Sequence, residues 1–282
     1  MMREKQITAE QITAFVKHLC QAERSPGTIE NYLRHVRSFS AWLDNSPVTK
    51  EAAMAWKGQL VSSGYSPNTV NAILVGLNRF FDFMGWQDCR VKTLRLQRRL
   101  FRDDSRELTR EEYDRLLNTA RAQGRERLAL LMETICATGI RVSEVRCLTV
   151  EAVQQGRAEV ALKGKIRTIL IPGKLCRKLL KYARKNKTVS GEIFLTRNGK
   201  GLNRKQIWAE MKAICKAAGV SPSKVFPHNL RHLFARTFYK VSRDVAKLAD
   251  LLGHSSIETT RIYLISTGAE HEKQLERLGL VV

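Results

Sequence analysis

The chain has 282 residues, 43% of them hydrophobic, which suffices for a buried core and for more than one compact unit and excludes intrinsic disorder. Its 49 Lys and Arg against 27 Asp and Glu leave a formal charge of +22, so the expected partner is a polyanion, nucleic acid first. No apolar run approaches the roughly 18 residues of a membrane span, and Met1 to Gln6 is too polar for a secretory leader. The six cysteines (20, 89, 136, 147, 176, 215) form no Cys-x-x-Cys pair and read as reduced thiols of a cytoplasmic protein.

The first helix is expected from Thr8 or Ala9 to Gln21, with Ile12, Phe15, Val16 and Leu19 as its apolar stripe. Ser25-Pro26 starts a second, with Ser as N-cap and Pro in the first turn. Thr49 opens a third, to about Ser63, and Ser66-Pro67 a fourth carrying Val70, Ile73, Leu74, Leu77 and Phe80. The Ser-Pro-x-Thr starts of helices two and four are alike, by a repeated capping solution or by duplication of a hairpin. Residues 1–90 thus form a four-helix unit. Thr28, Asn31, Arg34, Thr69, Asn71 and Arg79 are its short polar or cationic groups, suited to phosphates and base edges on a groove-facing surface.

Residues 91–107 have no helical repeat and are rich in cations, among them Arg95, Arg98 and Arg99, as a linker crossing a DNA backbone requires. Thr109-x-x-Glu112 is a capping box, so a second domain is expected over 108–282. A broadly apolar, central helix runs from about Arg125 to Thr138 and ends at Gly139. Arg141 follows it, with Glu144 three residues on to orient a cation. Three short β-like runs come next, Thr149–Val153, Ala158–Leu162 and Ile166–Ile171, the last two around the cationic turn Lys163-Gly164-Lys165. A lysine at a hairpin tip can reach into a site and donate a proton. Helices follow over about Lys174–Lys185 and Arg204–Ala218.

The last third holds the most specific pattern. His228, Arg231 and His232 lie on or near one face of a helix that Pro227 begins. Gly253 reads as a helix C-cap before His254, Ser255 or Ser256 caps the next short helix, and Tyr263 stands late in it. A guanidinium fork matches two phosphate oxygens, imidazoles donate to phosphate or move protons, and a phenol can hold a covalent intermediate. Where cations already neutralise the developing charge, no metal is required.

Taken in order, Ala-Thr-Gly-Ile-Arg141-Val-Ser-Glu144, a hairpin lysine, His228-Asn-Leu-Arg231-His232, Leu-Gly-His254 and Tyr263 nine residues later resemble the tyrosine recombinase (phage integrase) family over nearly the whole chain. The compact length is similar to Xer recombinases and transposon resolvases. The resemblance implies a mainly α fold with a small antiparallel sheet (α+β). It divides into an N-terminal SAM-like DNA-binding domain and a mixed α/β catalytic domain. It further implies that Arg141 and Arg231 clamp the scissile phosphate, that Lys163 is the general acid, that His228 assists proton transfer and that His254 donates to a non-bridging oxygen. Tyr263 is then the nucleophile, forming a 3′-phosphotyrosyl bond. The Lys-Gly-Lys-Ile-Arg hairpin is about one residue short for the family, so Lys165, otherwise a DNA contact, competes with Lys163 for the acid role. His232 reads as a supporting group. The implied reaction exchanges strands through a Holliday junction, without cofactor or metal. It acts on double-stranded DNA carrying specific sites, in a homotetramer whose last helix, Ala269–Leu278, docks onto a neighbour. Three other readings compete: a type IB topoisomerase, a non-catalytic DNA-binding protein, and a metallohydrolase using His228 and His232.

Overall fold

The computed structural model describes residues 4–96, 104–162, 165–264 and 276–278, and the chain divides into two compact units, Met1–Arg98 and Arg99–Val282. Lys163, Arg98 and Arg99 lie outside the described residues, as do the side chain of Lys165 and the 269–278 helix save 276–278.

In the first unit, helices α1 (Ala9–Gln21), α2 (Pro26–Leu43), α3 (Lys50–Ser62) and α4 (Pro67–Met84) stand where the apolar stripes put them. Thr8 closes a full capping box with Gln11, and Thr49 and Ser66 accept from the amides of Ala52 and Thr69. Such caps stabilise a helix start by about 1 kcal/mol. At α2 the Ser25 hydroxyl instead meets that of Thr28, at 2.9 Å. Phe15, Val36, Phe39, Leu74, Leu77, Phe80 and Phe81 make the core, with Phe15 edge-on to Phe80 at 5.3 Å. Each fully buried side chain of this size is worth roughly 1.5–3 kcal/mol.

In the second unit α5 (Arg110–Ala122) opens on the Thr109–Glu112 capping box. Helix α6 (Glu126–Thr138) is central: Leu128, Leu131, Met132 and Ile135 are all but inaccessible. The predicted strand at Thr149–Val153 is a correction. It is a short helix, α7 (Val150–Gln154), because the Thr149 hydroxyl accepts from the Ala152 amide at 3.1 Å. Val150 and Val153, three apart, bury together on one side. The other two runs pair as expected, β1 (Arg157–Leu162) antiparallel to β2 (Lys165–Leu170), with Arg157 opposite Leu170 and Leu162 opposite Lys165. Then come α8 (Gly173–Lys185), α9 (Arg204–Ala213), α10 (Cys215–Ala218), α11 (Pro227–Ser242), α12 (Val245–Leu252) and α13 (Ile257–Arg261). The helix expected over 204–218 is thus broken at Ile214. Helices α5, α8 and α11 pack on α6, which fixes the end of α6 against the start of α11.

Candidate active site

The site is assembled where α6 and α12 end and α11 begins. Gly139 terminates α6 at φ +64°, and a Cβ there would lie 2.5 Å from the Phe234 ring of α11. Only glycine fits both demands. The chain turns at once into Arg141 and a 3₁₀ segment, Val142–Cys147.

Arg231 is 2% exposed. Its guanidinium donates to the carbonyl of Gly139, to that of Leu252 at 2.7 Å, and to His254 Nε2 at 3.0 Å. Arg141 donates to the Gly253 carbonyl at 3.3 Å and to Glu144 at 2.9 Å. Arg167, on β2, donates to the Leu251 carbonyl at 3.0 Å and pairs with the other Glu144 oxygen. Three successive carbonyls at the end of α12, of Leu251, Leu252 and Gly253, therefore each receive one arginine. These are the acceptors that a helix end leaves unbonded.

Burial alone would raise the Glu144 carboxyl. The Arg141 amide and guanidinium, with the Arg167 charge, outweigh it and hold the group below its ordinary value. Burial, then the charge of Arg141, brings Arg231 down to about 10, so it stays cationic at neutral pH. His254 is pushed to about 4 by burial and then by the charges of Arg231, Arg141 and Arg167. His228 keeps an exposed edge. Packing of the rest of its ring, then His232, Arg231 and Arg141, lowers it to about 4 as well.

Tyr263 sits just beyond α13, 6% exposed, in a small cluster with Ala235, Leu248 and Leu252. Its ring is stacked on His254 at 5.6 Å, lies edge-on to His232 at 4.4 Å and is 5.8 Å from His228. His232 Nδ1 in turn lies 3.4 Å from Glu107, which also pairs with Arg236 at 3.3 Å. Arg141, His228, Arg231, His254 and Tyr263 thus converge in one place.

Of the residues proposed for DNA contact, Lys165 opens β2, and the other described ones are spread over the first unit. Thr28, Asn31, Arg34, Thr69 and Arg79 lie on its helices, and Arg34 donates to Asn31 at 2.8 Å. Asn71 is half-buried and clamps the backbone of Leu94 through both ends of its amide, while Arg95 is exposed.

Sequence reading missed Arg167. The signal was there: it shares the inward face of β2 with buried Ile169, where an arginine needs a partner. Arg167→Gln is expected to leave Glu144 with Arg141 alone and to destabilise the protein by about 2–3 kcal/mol. A urea melt within about 0.5 kcal/mol of wild type would contradict this.

Acidification supplies a second check. The folded His254 value lies below the roughly 6.5 of an unfolded chain. The unfolded state then takes up the proton first, so stability is full above about pH 6.5 and is lost as pH falls towards 4. Between about pH 7 and pH 4.5 the wild type should lose on the order of 1–2 kcal/mol more than His254→Asn, partial exposure being discounted. Parallel thermal-melt series for the two proteins would refute it.

A model of the phage integrase family matches residues 106–270, and one of the phage integrase N-terminal SAM-like domain matches residues 12–88. The chain belongs to the phage integrase family. It is a site-specific recombinase of the tyrosine type, an enzyme that cleaves and rejoins DNA strands. The recombinase is 29% identical to tyrosine recombinase XerA of Pyrococcus furiosus, over 99% of this chain and 98% of that one. It is 32% identical to tyrosine recombinase XerC of Roseiflexus castenholzii, over 93% and 90%. In fold it is similar to a lambda integrase tetramer bound to a Holliday junction, with a TM-score of 0.73, 19% identity and coverage of 90% and 76%. Among the described residues of the recombinase, no helix is long and apolar enough to cross a membrane.

Proposed function

We propose that this recombinase breaks a DNA strand by attack of the Tyr263 phenol on a phosphodiester held by Arg141 and Arg231. The observation that carries this reading is the convergence on Arg231: one buried, cationic fork that touches His254, with the Tyr263 ring stacked on that same His254. The attack joins Tyr263 Oη to phosphorus as the 5′ oxygen leaves, giving a 3′-phosphotyrosyl link and a free 5′-hydroxyl. His228, neutral at pH 7, takes up the phenol proton. His254 donates to a non-bridging oxygen. Lys163, or Lys165 beside it, protonates the leaving oxygen. Fixed cations around the phosphate supply the stabilisation that a metal would otherwise give, and the phosphotyrosine conserves the energy of the bond, so neither metal nor ATP is called for.

In this reading a 5′-hydroxyl of a partner duplex resolves the intermediate, and two rounds proceed through a Holliday junction. The lambda integrase tetramer on a Holliday junction shares this fold, which supports a homotetramer. That tetramer would act on two specific duplex sites, serving integration and excision or multimer resolution in the cytoplasm. Residues 1–90 would grip one face of the duplex, 91–107 cross its backbone and 108–282 carry the chemistry. Thr28, Asn31, Arg34, Thr69, Arg79, Arg95, Arg98 and Arg99 are the contacts proposed for the first two segments, and Asn71 contributes by fixing the departing chain.

The test is a nicked substrate that traps the intermediate, incubated with the wild-type protein and EDTA. A covalent protein–DNA species whose linked peptide contains Tyr263 is expected. A species that forms only with a divalent metal, or maps to another residue, would overturn the reading.

A further inference from the structure

Thr260 has no part in the scheme above, yet it is wholly buried and touches the reacting set. Its hydroxyl lies 2.8 Å from His254 Nδ1, while the other ring nitrogen, Nε2, lies 3.0 Å from Arg231 Nη2. A guanidinium only donates. Nε2 must therefore accept from Arg231, and in a neutral ring the proton sits on Nδ1, pointing at Thr260. That is the wrong tautomer for donating to a phosphate oxygen from Nε2.

We propose that Thr260 is a positioning residue that holds the His254 ring in place through both of its protonation patterns, the change being driven by arrival of the scissile phosphate. The inference rests on the phosphate-donor role given above to His254. In the free enzyme the Thr260 oxygen accepts from Nδ1–H. When phosphate draws Arg231 Nη2 to itself, Nε2 gains a proton from solvent. Either Nδ1 then keeps its proton, as an imidazolium offset by the phosphate charge, and Thr260 still accepts. Or Nδ1 releases its proton to solvent and Thr260 turns its hydroxyl to donate. A hydroxyl serves all three of these states without moving the ring, whereas a pure acceptor would fail the Nε2–H tautomer and a pure donor the other two. The short α13 places it: Ser256 caps the helix by accepting from the Glu258 amide, which sets Thr260 one turn beyond the cap, beneath the imidazole.

The experiment uses the full-length protein on the nicked substrate and compares Thr260→Val, Thr260→Ser and His254→Ala, with melting curves for each. Thr260→Val has nearly the same shape and no hydroxyl. It is expected to fold, to bind DNA as tightly as wild type and to cleave roughly 10- to 100-fold more slowly, the size of a hydrogen bond to a charged group. Thr260→Ser should restore most of the rate. ¹⁵N NMR of the free wild-type protein should show His254 protonated at Nδ1, and Thr260→Val should weaken that preference. Loss of cleavage in His254→Ala with wild-type cleavage in Thr260→Val would sink the Thr260 proposal alone. Wild-type cleavage in His254→Ala would sink the donor role beneath it. An Nε2–H tautomer in the free protein, or failure of serine to restore the rate, would also overturn the assignment.

Discussion

Tyr263→Phe is expected to leave folding and DNA binding intact and to abolish the covalent adduct, by at least roughly 10⁴-fold. The tyrosine ring is held by Ala235, Leu248 and Leu252 and by stacking on His254, and a phenylalanine keeps all of that. Only the hydroxyl goes, so the change in stability should stay within about 1 kcal/mol. The Thr260 hydroxyl cannot stand in, because it is buried against Nδ1 of His254. Denaturing gels on the nicked substrate, beside a filter-binding curve for each protein, provide the measurement. An adduct that persists in Tyr263→Phe would move the nucleophile elsewhere.

Arg231 gives the second large effect, and two substitutions separate its roles. Arg231→Ala strips the donors from two buried carbonyls and from His254 Nε2 at once. At about 1–3 kcal/mol for each acceptor left unpaired, a loss of about 4 kcal/mol or more is expected. Arg231→Lys keeps the charge but has no planar fork, so it cannot hold a carbonyl and a phosphate oxygen together. It should fold, and cleave roughly 10²- to 10³-fold more slowly. Near wild-type cleavage in Arg231→Lys would mean that the charge alone matters and would remove the clamp from the mechanism.

Much of this was legible in the sequence because the relevant signals are local. Ser25-Pro26, Ser66-Pro67 and the Thr109–Glu112 box announce helix starts, and Gly139 and Gly253 announce helix ends. The two β-like runs around the cationic turn Lys163-Gly164-Lys165 announced the hairpin. Thr149–Val153 misled because two valines three apart look like strand composition when the cap is ignored. Arg167, Glu107 and Thr260 were not singled out for a different reason. Two of them acquire their meaning from a partner far along the chain: Arg167 from Leu251 and Glu144, Glu107 from His232. Thr260 is only six residues from His254, but its place beneath the ring depends on how α13 turns back, and no spacing rule encodes that.

The three arginines on consecutive carbonyls of α12 carry one more consequence. A helix end bears about half a negative charge, concentrated on its last unpaired carbonyls. Helix α12 aims that end into the cluster, and α6 offers the Gly139 carbonyl from the other side. Together with the Glu144 carboxylate, these carbonyls supply negative charge from within the protein, so the arginines need neither DNA nor bound salt to stay together. It also makes their spacing a property of one helix terminus. Inserting or deleting a single residue near Leu252 would rotate the end of α12 by about 100° and take one partner from each of Arg141, Arg167 and Arg231 at once, although none of the three belongs to that helix.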